Sequence, residues 1–281
     1  MNERRYPALV GLLGLVATCT GMAGLRWLSP FDSSFSSAVC CPMLGMKINS
    51  DTAFFMAALF RSAFFAYGFY GLGVLFFRSW KTYRFVASLR HAAVATLPER
   101  LTGISAELGL DGQVIAIAAP NPLAFCFGLL RPRICVSLGL IETLTDAELR
   151  AVLLHEDHHR RRFDPLRGLA AESLAALFGF LPIVGELRDM ALTQAELSAD
   201  RHAVRYAGRP PLAGALHKIL THPRAIHLPS AVGVSGLSAT ETRIAHLLGD
   251  QNSALRLSAH SLLITSALLI AICMILQLPA L

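Results

Sequence analysis

The residues best suited to chemistry lie in the run Leu153-Leu154-His155-Glu156-Asp157-His158-His159, which contains H-E-x-x-H. On a helix, His155 and His159 stand one turn apart on one face, so both imidazoles reach a single zinc ion. Glu156, beside them, is placed to take a proton from a water that the ion holds. The plain alternative is a polar, solvated helix end that carries histidines. A third ligand is needed that still leaves one coordination position open. Glu196 can supply it from a downstream helix, and Asp200, one turn further, can accept from a ligand imidazole and fix its orientation. A solvated acidic pair is the plain reading of those two residues. His202 and Tyr206 share the same helix and are candidates for oxyanion or substrate contact, against an ordinary surface role. His158 points off the His155/His159 face.

These groups need helices to hold them. Thr145-Asp146-Ala147-Glu148 reads as a capping box that starts the motif helix, with Leu149, Val152 and Leu153 on its buried side. Asp164-Pro165 reads as the cap and first turn of the next helix. Arg160, Arg161 and Arg162 are expected at an inner-leaflet surface or at a solvated helix end. Upstream, residues 92–110 look helical and amphipathic. Gln113 to Ala119, Phe125 to Phe127 and Ile134 to Ser137 read as short strands, with Pro120, Pro122 and Pro132 marking turns. Proline beside a short strand argues for a sheet edge, which either holds an extended peptide by strand addition or packs under the helix. Residues 187–207 form the helix of Glu196, 212–222 look helical, 223–237 read as a loop and 238–248 as a capped helix.

The composition points to a bilayer. Of 281 residues, 54% are hydrophobic and 16% charged, against about 25% charged in a soluble domain, and mean hydropathy is +0.51. Residues 7–28, 53–77 and 258–278 are apolar runs long enough to span. A cleaved signal peptide is the alternative for the first. Arg4 and Arg5 precede the first run, and Arg78, Lys81, Arg84 and Arg90 follow the second, so both basic clusters fall on one side and the positive-inside rule makes that side cytoplasmic. Arg61, inside the second run, must snorkel or face the bundle. Residues 169–184 are apolar but interrupted by Glu172, Gly179 and Pro182, which suits a membrane-embedded hairpin or an interfacial helix better than a span. The net charge of +6 fits anionic lipid. No basic stripe is interleaved with exposed aromatics, so direct nucleic-acid binding is not expected. Cys40 and Cys41 read as ordinary buried or disulfide-linked thiols, and without a C-x-x-C a cysteine zinc cluster is not expected.

The block Phe127-Gly128-Leu129-Leu130-Arg131-Pro132-Arg133-Ile134, then Ser137-Leu138-Gly139-Leu140, then Leu144 through Glu156, with Arg162-Phe163-Asp164-Pro165-Leu166, resembles the integral-membrane metallopeptidases of the BlaR/MecR type. Glu196 with Asp200, and Arg243-Ile244 with Leu247-Leu248, continue the likeness over roughly residues 53–250. The resemblance implies a mainly α-helical membrane protein with a small β-hairpin or sheet, its gluzincin-like protease domain flanked by transmembrane helices. It implies a two-span region over 1–77, the protease domain over 78–257 and a last membrane helix over 258–281. His155, His159 and Glu196 would bind Zn2+, and Glu156 would be the base. The expected role is cleavage, at the cytoplasmic face of the plasma membrane, of a transcriptional repressor, another regulatory protein or the protease itself. A homo-oligomer is compatible with it. Family members often carry an extracellular sensor after the last span. None follows residue 278, so β-lactam sensing is not expected. HtpX-type quality-control proteolysis is the alternative within the class. A zinc-binding receptor or scaffold without catalysis is the alternative outside it, and a transporter or channel is disfavoured because the charged motif lies outside the runs.

Overall fold

The computed structural model describes residues 50–94, 96–222, 243 and 257–277. The expected first span, Cys40 and Cys41, the loop at 223–237 and most of the helix at 238–248 lie outside the described residues. Two compact units divide the chain, Phe60–Ile272 and residues 1–59 with 273–281. The side-chain contacts described below lie within the first.

Helix α1 runs Ser50–Ala92 and α2 runs Glu99–Glu107. The helix expected over 92–110 is therefore shorter than its amphipathic pattern. Pro98 sets the start, because the residue before a proline is pushed out of the helical region. Ala93 instead bridges to Ile117, and Val94 N–H donates to Ala116 O at 2.9 Å. The three strands are found within two residues of their expected places: β1 (Val114–Ile117), β2 (Ala124–Phe127) and β3 (Arg133–Ser137). Their order is β1-β3-β2, with β1 parallel and β2 antiparallel to β3, so β2 is an edge strand. The β2–β3 turn needs Gly128, whose φ is +93° and where a Cβ would sit 2.7 Å from Arg131 O.

Helices α3 (Leu138–Thr143), α4 (Asp146–Arg161), α5 (Asp164–Leu177), α6 (Pro182–Ala207), α7 (Arg209–Thr221) and α8 (Ala259–Gln277) complete the described elements. The α4 capping box is present. Thr145 Oγ1 accepts from Glu148 N–H, and Glu148 Oε2 accepts from Thr145 N–H at 2.7 Å. Leu149, Val152 and Leu153 bury against one face of the sheet with Val114, Ile134 and Val136. On the other face, Phe125, Phe127 and Cys135 pack against Phe85 and Val86 of α1. The motif helix is thus seated on a sheet that is itself backed by α1.

Among the described residues no helix is long and apolar enough to cross a membrane. Full spans, expected at 53–77 and 258–278, are not supported among these residues. Helices stand in both places, as α1 and α8, but the apolar run of α1 is diluted by Tyr67, Gly68, Tyr70, Gly71 and Gly73. Residues 169–184 form the end of α5, a turn at 178–181 and the start of α6, a helical hairpin.

Candidate metal centre

The centre forms where α4 crosses α6. Small side chains let the two backbones come close: Ala151 of α4 and Ala203 of α6 are fully buried in one cluster. His155 and His159 project from α4 onto Glu196 of α6, and all three are buried. His155 Nε2 lies 3.1 Å from His159 Nε2 and 3.4 Å from Glu196 Oε2, and His159 Nε2 lies 3.5 Å from Glu196 Oε1. A tetrahedral site with bonds of about 2.0–2.1 Å has ligand–ligand edges of about 3.3–3.4 Å. The three donors are therefore spaced to share one small divalent cation, and no other group of three such residues is found among the described residues.

Each imidazole is held from behind by its own carboxylate. Asp200 Oδ1 lies 2.9 Å from His155 Nδ1, and Asp164 Oδ2 lies 2.8 Å from His159 Nδ1. Both acids call for a proton on Nδ1, which leaves each Nε2 lone pair facing the centre. Asp164 reaches back because the chain turns sharply between α4 and α5. Phe163 takes left-handed φ 55°, ψ 38° at the α5 cap, a conformation that costs a non-glycine residue about 1–2 kcal/mol. The sequence reading of Asp164 as a helix cap missed this role. Its signal was the short reach, five residues past the second histidine and next to a proline.

Arg243 is the second residue that sequence reasoning missed, entering only as part of the family likeness. Its Nε and Nη2 each donate to Asp200 at 2.9 Å, and its Nη1 lies 3.1 Å from Glu196 Oε2. The guanidinium thus ties Glu196 to Asp200, the residue that orients His155. Burial works to raise the Glu196 carboxyl, but Arg243 and both histidines outweigh it and hold it well below the usual range. The same contest leaves Asp200 at about 2, where His155 and Arg243 win over burial. Burial opposes charge on His155, yet Asp200 and Glu196 lift it to about 9. Without a cation the cluster compensates its carboxylates with protons and Arg243.

Glu156 is buried beside the ligands, one residue round the helix. His158 turns to the opposite flank. Its Nε2 is 3.1 Å from Ser198 Oγ and its ring 5.1 Å from that of His202. Burial, then His202, press its pKa down to about 4. His202 in turn lies 4.9 Å from the exposed Tyr206 ring, so these two residues line up with His158 rather than joining the triad. Arg160 and Arg161 are paired with the buried Asp157.

The family described as BlaR1 peptidase M56 matches residues 55–247. The chain belongs to that family. This M56 chain is also similar to a protein described as protease HtpX homolog from Sulfurovum sp. (strain NBC37-1), 26% identical over 147 residues, which are 42% of the M56 chain and 53% of the relative. The M56 chain spans about half the length of that relative. Both likenesses support a membrane-associated metallopeptidase, and the His155, His159 and Glu196 cluster has the donors and spacing to hold a metal ion.

Proposed function

We propose that the protein is a zinc endopeptidase of the gluzincin type, built on H-E-x-x-H and Glu196. Multi-pass anchoring in the plasma membrane, with the centre facing the cytoplasm, is part of the same reading. The observation that carries it is the donor set. Two imidazole nitrogens and one carboxylate, at tetrahedral edge spacing and each backed by a second group, fit zinc with one position left for solvent. His155, His159 and Glu196 would hold the zinc, which would supply Lewis acidity, lowering the pKa of water to about 7 and polarising the scissile carbonyl. Glu156 would take the proton of the attacking water as its oxygen bonds to the carbonyl carbon. It then passes the proton to the amine nitrogen as the C–N bond breaks. Asp200 and Asp164 keep the imidazoles in register throughout. An oxyanion or substrate contact by His202 or Tyr206, on the helix of Glu196, is included in the proposal. Its signature is a fall in kcat at unchanged KM in His202→Ala or Tyr206→Phe.

The substrate we assign is a regulatory protein of the repressor kind, or the chain itself. The likeness to an HtpX homolog favours membrane-protein quality control as the second reading. Glu156→Gln tests both against a scaffold that only binds zinc. The variant is expected to keep stoichiometric zinc and lose all cleavage in membrane preparations. Retained cleavage would refute Glu156 as the base. Comparing fragments in cells carrying either form separates one regulator from many membrane proteins.

A further inference from the structure

Charge disappears from three adjoining stretches together. Residues 62–77 of α1, 173–185 of the α5–α6 hairpin and 258–272 at the start of α8 contain no Asp, Glu, Lys or Arg. Their polar ends meet. Arg78 Nη1 is paired with Glu172 Oε2 at 3.1 Å, and Glu186 Oε2 accepts from Ser258 N–H at 2.9 Å. Glu172 and Glu186 lie at similar heights on the hairpin, five residues before the end of α5 and four after the start of α6. From this line the elements rise side by side. A Cβ on Gly71 would sit 2.5 Å from Leu177, and the Tyr67 and Phe180 rings lie 6.3 Å apart. On the other flank, Thr265 Oγ1 accepts from Ile183 N–H at 3.4 Å, and Leu269 packs against the cluster of Leu181, Ile183 and Val184.

Above the line, large apolar side chains are bare on all three elements: Phe69 (72% exposed) and Phe76 on α1, Leu174 and Phe180 on the hairpin, Leu263 (71%) and Ile270 on α8. Just below it, α1 exposes Trp80, Lys81, Tyr83 and Arg84, the aromatic and basic mixture of a bilayer interface. Hydrocarbon demands partners for backbone donors, and most of those in the hairpin turn have one. Phe178 N–H donates to Leu174 O, Leu181 N–H to Phe178 O and Val184 N–H to Leu181 O, Pro182 has no N–H, and Thr265 serves Ile183. A protein partner explains the bare apolar groups, but not why four charged or polar ends from separate elements share one boundary.

We infer that the α5–α6 hairpin is a wedge seated in the bilayer without crossing it, and that it sets the height of the metal centre. Asp164 lies eight residues below Glu172 on α5, and Glu196 ten below Glu186 on α6. At 1.5 Å per residue this places the centre about 12–15 Å outside the boundary. An extended chain advances about 3.3–3.6 Å per residue, so a bond about four or more residues from the membrane is the nearest that can be cut. This height rests on the peptidase reading, and the wedge does not. The substrate class is then a juxtamembrane or peripheral segment, not a bond inside a lipid-buried helix.

The experiment uses the full chain carrying Glu156→Gln, with Trp27→Phe and Trp80→Phe, in phosphatidylcholine–phosphatidylglycerol vesicles. A single tryptophan is placed by Phe180→Trp, by Leu174→Trp in case the first variant fails to fold, or by Arg167→Trp. Zinc stoichiometry reports folding. The expected result is that tryptophan at 180 or 174 loses most of its fluorescence to acyl-chain-brominated lipid and is shielded from acrylamide, with the reverse at 167. Acrylamide access at 180 and 174, or shielding there from both quenchers as a covering protein would give, overturns the wedge. The height is read separately with active protein on membrane-anchored reporter peptides of increasing spacer. Cleavage should begin only about four residues from the anchor, and cutting at one or two residues overturns it. A chain that cuts no spacer length while tryptophan 180 is quenched refutes the peptidase and leaves the wedge standing.

Discussion

Asp164→Asn removes the charge behind His159 while leaving the shape of the side chain. Asp164 accepts from His159 Nδ1 at 2.8 Å and is largely shielded from water. An asparagine can still accept through its amide oxygen, but it neither favours the Nδ1–H tautomer as strongly nor raises the basicity of Nε2. Losing such a supporting carboxylate costs about 10–100-fold in metal affinity, or about 1.4–2.7 kcal/mol. The fold should survive, because Asp164 sits at a helix start with Pro165 already in place. Asp200→Asn provides the contrast. Asp200 is 0% exposed and holds both His155 and the half-buried Arg243. Removing its charge leaves a guanidinium short of a partner, a loss of about 3–5 kcal/mol for a buried pair, so zinc affinity and stability should fall together. The assay is zinc competition against a chromophoric chelator, with melting followed on the same samples. Wild-type zinc affinity in Asp164→Asn would refute the claim that this carboxylate sets the His159 imidazole.

Arg243→Ala should destabilise the zinc-free protein more than the zinc-loaded one, since bound zinc supplies part of the positive charge that Glu196 loses. An unchanged gap between the two melting temperatures would count against this role. The zinc-free protein should lose stability with rising pH. His155 is lifted from 6.5 unfolded to about 9 folded, so its contribution of about 3 kcal/mol is complete below pH 6.5 and lost as pH rises through about 9. The loaded protein should slope the other way, because protons compete with zinc for neutral imidazoles, and parallel pH profiles would contradict this. Gly139→Ala should cost about 1–3 kcal/mol or more by overpacking. A Cβ there would collide with Pro120 O, backbone that cannot move aside freely, and denaturant unfolding measures it.

What could be read from the sequence was local. H-E-x-x-H is one helical turn, the Thr145–Glu148 box spans four residues, and Glu196 with Asp200 is again one turn, so spacing alone places each group on its own helix. What escaped reading depends on chain reversal. Asp164 meets His159 only because Phe163 adopts a left-handed conformation, which no propensity favours for phenylalanine. Arg243 meets Asp200 from 43 positions away, and no periodicity connects them. The helix over 92–110 was overdrawn because its apolar pattern continues through Pro98, where the backbone cannot follow. The apolar runs at 53–77 and 258–278 were legible as helices, and α1 and α8 stand there.

The two missed residues share a physical purpose. The paired Nε2 lone pairs and Glu196 create a strong local demand for positive charge, and a fold that met it only through the metal would be unstable until loaded. Arg243 and the protonated His155 meet that demand in the zinc-free chain, while Asp164 and Asp200 keep the imidazoles aimed inward. Binding then replaces a proton on a histidine with a cation and requires little movement of side chains. A centre arranged this way pays its ordering cost during folding rather than during binding, which is why its ligand spacing already matches a tetrahedral edge.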